Sequence, residues 1–247
     1  MFKKICFALL ASLLLAGSAM AAQRTIVAAH DATYPPMEFM NQDKEIVGFS
    51  VDLLDAIAQA ADFKVVHKSV AWDGIFAGLD SGKYDVVCSS VSITDKRKKA
   101  MLFSDPYFEV TQALVVPKDS KAKTLADLKG KPVGGQIGTT GYFAIKNDGG
   151  VEPKSYDELG LAFEDLYNGR LAGIVSDAPT VADFALQNEK YKAKMKIVGT
   201  VDTGETEYYG MAAAKGNHEV IDLINKGLAK IKADGTYDAI KAKWIGN

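Results

Sequence analysis

From Arg24 onward, short runs rich in Val, Ile and Ala alternate with stretches whose apolar residues recur every three or four positions. The runs "RTIVAA", "FKVVHKSV" and "YDVVCSS" read as strands, and "SVDLLDAIAQAAD" and "WDGIFAGLDSG" between them read as helices. In the first helix Val51, Leu54, Ala58 and Ala61, with Leu53 and Ile57 beside them, form one apolar stripe, and packing against a core explains it fully. Strand–helix alternation of this kind predicts an α/β fold with parallel strands. After "FSDPYF" an apolar strand, "VTQALVVPK", opens a second series containing "TTGYFAIKN", "SYDELGLAFEDLYNG", "LAGIVSD", "APTVADFALQN" and "MKIVGT". "TEYYGMAAAK" then mirrors "VTQALVVPK" as a strand followed by a lysine and a turn. Two helices close the chain, "HEVIDLINKGLAKIKADG" and "TYDAIKAKWI", with Gly235 ending the first. The expected organisation is two lobes joined by two strands. Residues 22–108 with 207–247 form one lobe and 112–203 the other, with crossings near 109–111 and 204–206.

The N-terminus breaks this pattern. Lys3 and Lys4 precede an apolar run from Ile5 to Ala16 and the small residues "AGSAMA", which reads as a secretory signal peptide cleaved after Ala21. The run is too short to span a hydrocarbon core of ~30 Å. A lipid anchor would need a cysteine after "LLAG", where Ser18 stands. Cleavage would remove Lys3 and Lys4, leaving 27 basic residues against 31 acidic ones and a formal net charge of −4. That balance speaks against a nucleic-acid partner. Cys88 would be the one cysteine left, set among valines as an inert thiol, so stability must come from the core.

Candidate chemistry gathers in "YDVVCSSVSITDKRKKAML". Alternation sets Ser90, Ser92 and Thr94 on one face of a strand with Val86 and Cys88, while Val87, Val91 and Ile93 take the other. Hydroxyls therefore collect toward the strand's carboxyl end, where open α/β sheets bind ligands. Thr94 is placed to cap a helix, "DKRKKAML". That helix begins with Lys96, Arg97, Lys98 and Lys99, opposed by its dipole at roughly 0.3–1 kcal/mol each. Solvated side chains explain the lysines. Arg97 differs, because its planar fork can grip one carboxylate through two parallel hydrogen bonds, with helix-start amides and the Ser92 hydroxyl as further donors. Tyr34 and Trp72 fit a packed core as well as a pocket wall.

Other signals are weaker. The glycines of "GKPVGGQIGTTG" lack the Lys-Ser/Thr ending of a phosphate loop. His30, His67 and His218 have no paired metal-ligand spacing, so no metal site is expected. Asp177 with Glu205 or Glu207 suggests no more than scattered carboxylates, and no G-x-S-x-G elbow occurs. No cofactor and no catalytic group are expected.

The segments "DATYPPMEF", "IVGFSVDLLDAIA", "WDGIFAGLDSGKYDVV", "SSVSITDKRKKAMLFSDPYF", "LADLKGKPVGGQIGTTG", "GIVSDAPTVADF" and "INKGLAKIKADGTYDAIKAKWIG" resemble the periplasmic amino-acid-binding proteins of ABC importers. These form family 3 of the bacterial solute-binding proteins and include the glutamine-, histidine- and lysine/arginine/ornithine-binding proteins. The resemblance runs through nearly the whole mature chain, in the family's motif order. It implies a two-lobed type II periplasmic-binding-protein fold that closes on a free L-amino acid, and a periplasmic monomer that serves an inner-membrane ABC permease. By position, Arg97 and Ser92 resemble the family's partners of the ligand α-carboxylate, completed by Thr139 and Thr140 at a helix start. Ser90 and Asp177 resemble the partners of the α-ammonium. Tyr34, Trp72 and Asp31 match positions around the ligand side chain, to which Gln136 can add an amide, and a polar or cationic one is favoured. His30 replaces a small hydroxylated residue common in relatives. Alternation turns it away from Asp31, toward a structural role. A dehydratase-type enzyme or a sensor module on the same fold are the other readings; an intact zwitterion-binding set argues against the first, and export without an anchor against the second.

Overall fold

A computed structural model of the protein describes residues 23–246. The expected leader and its cleavage point lie outside the described residues. Two five-stranded sheets organise the chain. In the first, Thr25–His30 runs parallel to Lys64–Ser69 on one side and Val86–Val87 on the other. The late strand Ala212–Ala214 inserts antiparallel between Val86–Val87 and Met101–Phe103. In the second, Pro132–Gln136 runs parallel to Glu152–Tyr156 and Gly173–Asp177, while Gln112–Pro117 lies antiparallel between Gly173–Asp177 and Met195–Val201. Both sheets are thus mixed, and parallel only where a helix connects the strands. The chain passes between them twice, and the passes pair as an antiparallel ribbon, Phe108–Val110 with Glu207–Tyr209.

Helix Phe49–Ala61 buries the predicted stripe together with Phe49. Against it packs helix His218–Ala233, whose Val220, Ile221, Ile224, Leu228 and Ile231 are buried on one side. The two come unusually close at Gly227, where a Cβ would lie 2.4 Å from the Ile57 carbonyl oxygen. The last helix, Thr236–Trp244, is tied to the first by Lys243 Nζ and the Trp244 indole N–H, which both donate to Asp52 at 2.6 and 2.7 Å. The last two helices therefore return to the first sheet's side. Among the described residues no helix is long and apolar enough to cross a membrane.

Three local expectations need correction. The strand expected through Thr94 stops at Val87, and Ser90 takes a left-handed φ of 48°, so alternation does not set the direction of the serines. The helix beginning at Asp95 ends at Ala100, because Met101–Phe103 is drawn into the sheet by its ladder with Ala212–Ala214. "TEYYGMAAAK" forms two short strands broken at Gly210, where a Cβ would sit 2.8 Å from Ile93 Cδ1.

Candidate functional site

The parallel strands of both sheets end at the interface between them, and the residues that follow those ends face one another. From the first sheet come Asp31, after Thr25–His30; Trp72, beyond Lys64–Ser69; and Ser89, Ser90 and Ser92, after Val86–Val87. From the second come Gln136 and Asp177, the last residues of their strands, and Thr139 and Thr140 at the start of helix Thr140–Asp148. With Tyr34, Glu38 and Arg97 these residues line one cavity of about 20 Å³. Every residue singled out from the sequence as a site candidate lies on its wall. Room of this size holds about one water. An amino acid enters only if the two sides separate.

Arg97 sits on helix Asp95–Ala100, whose first turn is capped by the Thr94 hydroxyl, which accepts from the Arg97 N–H at 3.2 Å. Its guanidinium lies over Trp72 and Phe76, at 5.6 and 5.3 Å from the ring centres. It donates to the Ser92 carbonyl at 2.9 Å and, across the interface, to the Gly138 carbonyl at 3.1 Å. Burial lowers its pKa to about 10, opposed by Asp177 and Glu207, so it stays cationic at neutral pH. Trp72 therefore backs the arginine as well as the cavity. Tyr34 is buried, and its hydroxyl meets Ser176 Oγ of the opposite side at 2.7 Å.

The carboxylates are all held above their ordinary range by burial. Asp31 accepts from Gln136 Nε2 at 2.7 Å across the interface and from the Thr33 hydroxyl at 2.8 Å, both of which partly offset its desolvation. Asp177, buried at its strand end, accepts from Gln112 Nε2 and, at 2.6 Å, from the Tyr209 hydroxyl. Glu38 is driven well up and accepts from Ser90 Oγ at 3.1 Å. A cation placed among them would restore their ionised form.

Sequence reasoning missed Glu38, Ser89, Gln112, Ser176 and Tyr209, and weighed Glu207 only as a catalytic partner. Glu38 carried a visible signal, an acidic residue within the apolar "PPMEF". Gln112 and Glu207 become recognisable only once the two passes between the sheets are paired. His30 is fully buried, and the parallel register of Thr25–His30 with Lys64–Ser69 brings its Nε2 within 2.9 Å of His67 Nδ1. His67 in turn contacts Asp55 at 2.9 Å. Burial, then proximity to His67, lowers the His30 pKa to about 3, so the ring is neutral and structural. Among the described residues no group of three or more His, Cys, Asp or Glu is placed to hold a metal ion. A larger, open cleft of about 570 Å³ shares Thr140 with the cavity, and Asp148, Asp202, Glu205 and Glu207 line it with no basic side chain.

Two mixed sheets, a two-strand ribbon between them and a polar cavity lined from both sides define a two-lobed binding protein of the type II periplasmic class. Residues 26–247 match the family model for bacterial extracellular solute-binding proteins, family 3, and the chain belongs to that family. It is 38% identical over 221 residues to a probable histidine-binding protein of Neisseria gonorrhoeae, covering 88% of this chain and 81% of that one. It is 36% identical over 251 residues to the ABC transporter arginine-binding protein 1 of Escherichia coli K12, covering 99% of each. Among solved structures, an ancestral arginine-binding protein bound to glutamine superposes with a TM-score of 0.84 at 43% identity, covering 91% of this chain and 99% of that one.

Proposed function

We propose that the protein captures a free L-amino acid in the periplasm, between its two lobes, and delivers it as a monomer to an inner-membrane ABC permease. The observation that carries this reading is the cavity that Arg97 of one side and Asp177 of the other both line. A zwitterion needs one fixed charge of each sign, and these come from opposite sides of the interface. Arg97 with Ser92, Thr139 and Thr140 takes the α-carboxylate, and Asp177 with Ser90 takes the α-ammonium. Tyr34, Trp72, Asp31 and Gln136 surround the side chain. Asp31 and Glu38 add two acidic groups to that wall against the one guanidinium, which favours a polar or cationic side chain. Names of relatives as histidine- and arginine-binding proteins agree with this.

Closure is a hinge motion of residues 22–108 plus 207–247 against 112–203, with bending at 109–111 and 204–206. Contacts made only in the closed form, such as those of Thr140 and Asp177, let the ligand shift the equilibrium toward it. In this reading the protein acts as a carrier, holding its ligand through ionic and hydrogen bonds alone. Calorimetric titration with L-arginine, L-histidine, L-lysine and L-glutamine tests the reading. At least one should bind with a dissociation constant near ~1 μM, about 8 kcal/mol. Its α-carboxamide and N-acetyl derivatives should lose at least a hundredfold. Equal affinity for the α-carboxamide would end the assignment of the carboxylate site.

A further inference from the structure

Glu207 lies on the second pass between the lobes, opposite Val110, and is only 4% exposed. Its Oε2 accepts from the Thr140 hydroxyl at 2.7 Å and the Ser92 hydroxyl at 2.9 Å, and lies 3.4 Å from Gln112 Nε2. Thr140 belongs to one lobe and Ser92 to the other, so one carboxylate oxygen joins both sides of the cleft. Each hydroxyl has a single proton. While both protons point at Glu207, neither is available to another carboxylate. The Thr140 oxygen accepts in turn from Gln112 Nε2 at 3.2 Å, which fixes its proton toward Glu207. Glu207 Oε1, buried, has no hydrogen-bond partner among the described residues.

We infer that Glu207 is an internal competitor for the carboxylate site: its side chain holds the cleft shut by taking the Ser92 and Thr140 hydroxyls that an amino-acid carboxylate must take over. This rests on the assignment of those hydroxyls to the ligand carboxylate. Two anions compete for the pair of donors, because a proton divided between two acceptors binds each more weakly and two like charges brought to the same donors repel. Binding therefore begins from an opened form in which Glu207 has released at least one hydroxyl, and the amino acid replaces it in bridging the lobes. The internal carboxylate and the ligand stabilise two closed forms that exclude each other. The apparent affinity falls by the fraction of protein held in the first.

The test uses Glu207→Ala and, as the isosteric control, Glu207→Gln, each with a donor and acceptor dye on opposite lobes for single-molecule distance measurement. In buffer without amino acid, the wild-type protein should populate a closed form that Glu207→Ala reduces at least threefold. Stopped-flow association of L-arginine or L-histidine should be at least threefold faster for Glu207→Ala than for wild type, with an equal gain in affinity. Glu207→Gln, whose carbonyl oxygen still accepts but carries no charge, should fall between. An unchanged closed population in Glu207→Ala overturns the inference. So does a weaker affinity through faster dissociation, which would make Glu207 a supporter of the ligand-bound form. If no amino acid binds even the wild type, the proposed function fails, and the distance measurement still decides whether Glu207 holds the cleft.

Discussion

Replacing Arg97 perturbs the cleft where its charge balance is most exposed to failure. The guanidinium has five N–H donors. Two are engaged by the Ser92 and Gly138 carbonyls, which leaves donors for a second acceptor in the cavity. Two charge-assisted hydrogen bonds to a carboxylate, each worth roughly 1.5–3 kcal/mol, set the scale of the loss. Truncating one member of a buried charged pair costs about 2–5 kcal/mol, because the other charge is left unmatched. Arg97→Ala should therefore weaken amino-acid binding by about 3–5 kcal/mol, or roughly two to four powers of ten in Kd. Arg97→Lys keeps the charge but not the fork or the flat contact with Trp72 and Phe76, so a loss of roughly ten- to a hundredfold is expected. Isothermal titration of both variants with the preferred amino acid measures this, and circular dichroism checks that the fold persists. A Kd for Arg97→Ala within threefold of wild type would refute the reasoning, as would equal losses for Ala and Lys.

Burial raises the Asp177 pKa, so its ionised form, the one proposed to pair with the ligand ammonium, is lost at a higher pH than an ordinary aspartate would lose it. Affinity for L-arginine should accordingly weaken as pH is lowered into that raised range, and Asp177→Asn should flatten the profile in part, because Asp31 and Glu38 are raised for the same reason; titrations between pH 4.5 and 7.5 decide it. His30 behaves with the opposite sign: its pKa falls from 6.5 to about 3, so the native state binds fewer protons than the unfolded one, and stability is complete above pH 6.5 and lost below it. The penalty reaches on the order of 2 kcal/mol at pH 5, and His30→Asn should show a correspondingly shallower loss between pH 7 and 5 in urea unfolding. Gly227→Ala places a methyl 2.4 Å from the Ile57 carbonyl oxygen, so two packed helices must part, and stability in urea should fall by about 1–3 kcal/mol.

Local chemistry singled out Arg97 and the serines before it, the family resemblance supplied most of the other candidates, and tertiary pairing hid the rest. Thr94 was readable as a helix cap because a cap is a relation between neighbours, and its hydroxyl accepts from an N–H three residues on, as the Thr139 hydroxyl does at the start of its own helix. Arg97 stood out because it broke a local rule beside residues that offered donors. The apolar stripe of Phe49–Ala61 was readable for the same reason of short range. The direction of the serines was not, because Ser90 leaves the extended region, and nothing in "VVCSSVSIT" marks the residue at which the pleat ends. Met101 and Leu102 looked helical because the ladder partner of their strand, Ala212–Ala214, lies more than a hundred residues away. Glu207 and Gln112 are the instructive pair. A glutamate in "TEYYG" reads as one more solvated acid, since burying a carboxylate is costly and uncommon. What makes its burial tolerable is a set of donors from Ser92, Thr140 and Gln112, three segments that meet only when the two passes between the lobes pair and the cleft closes. A buried carboxylate with a complete set of donors on one oxygen and none on the other is a group whose partners can be taken from it. On the inference drawn for Glu207, closure is regulated at the crossing itself, by a residue whose local sequence carries no sign of it.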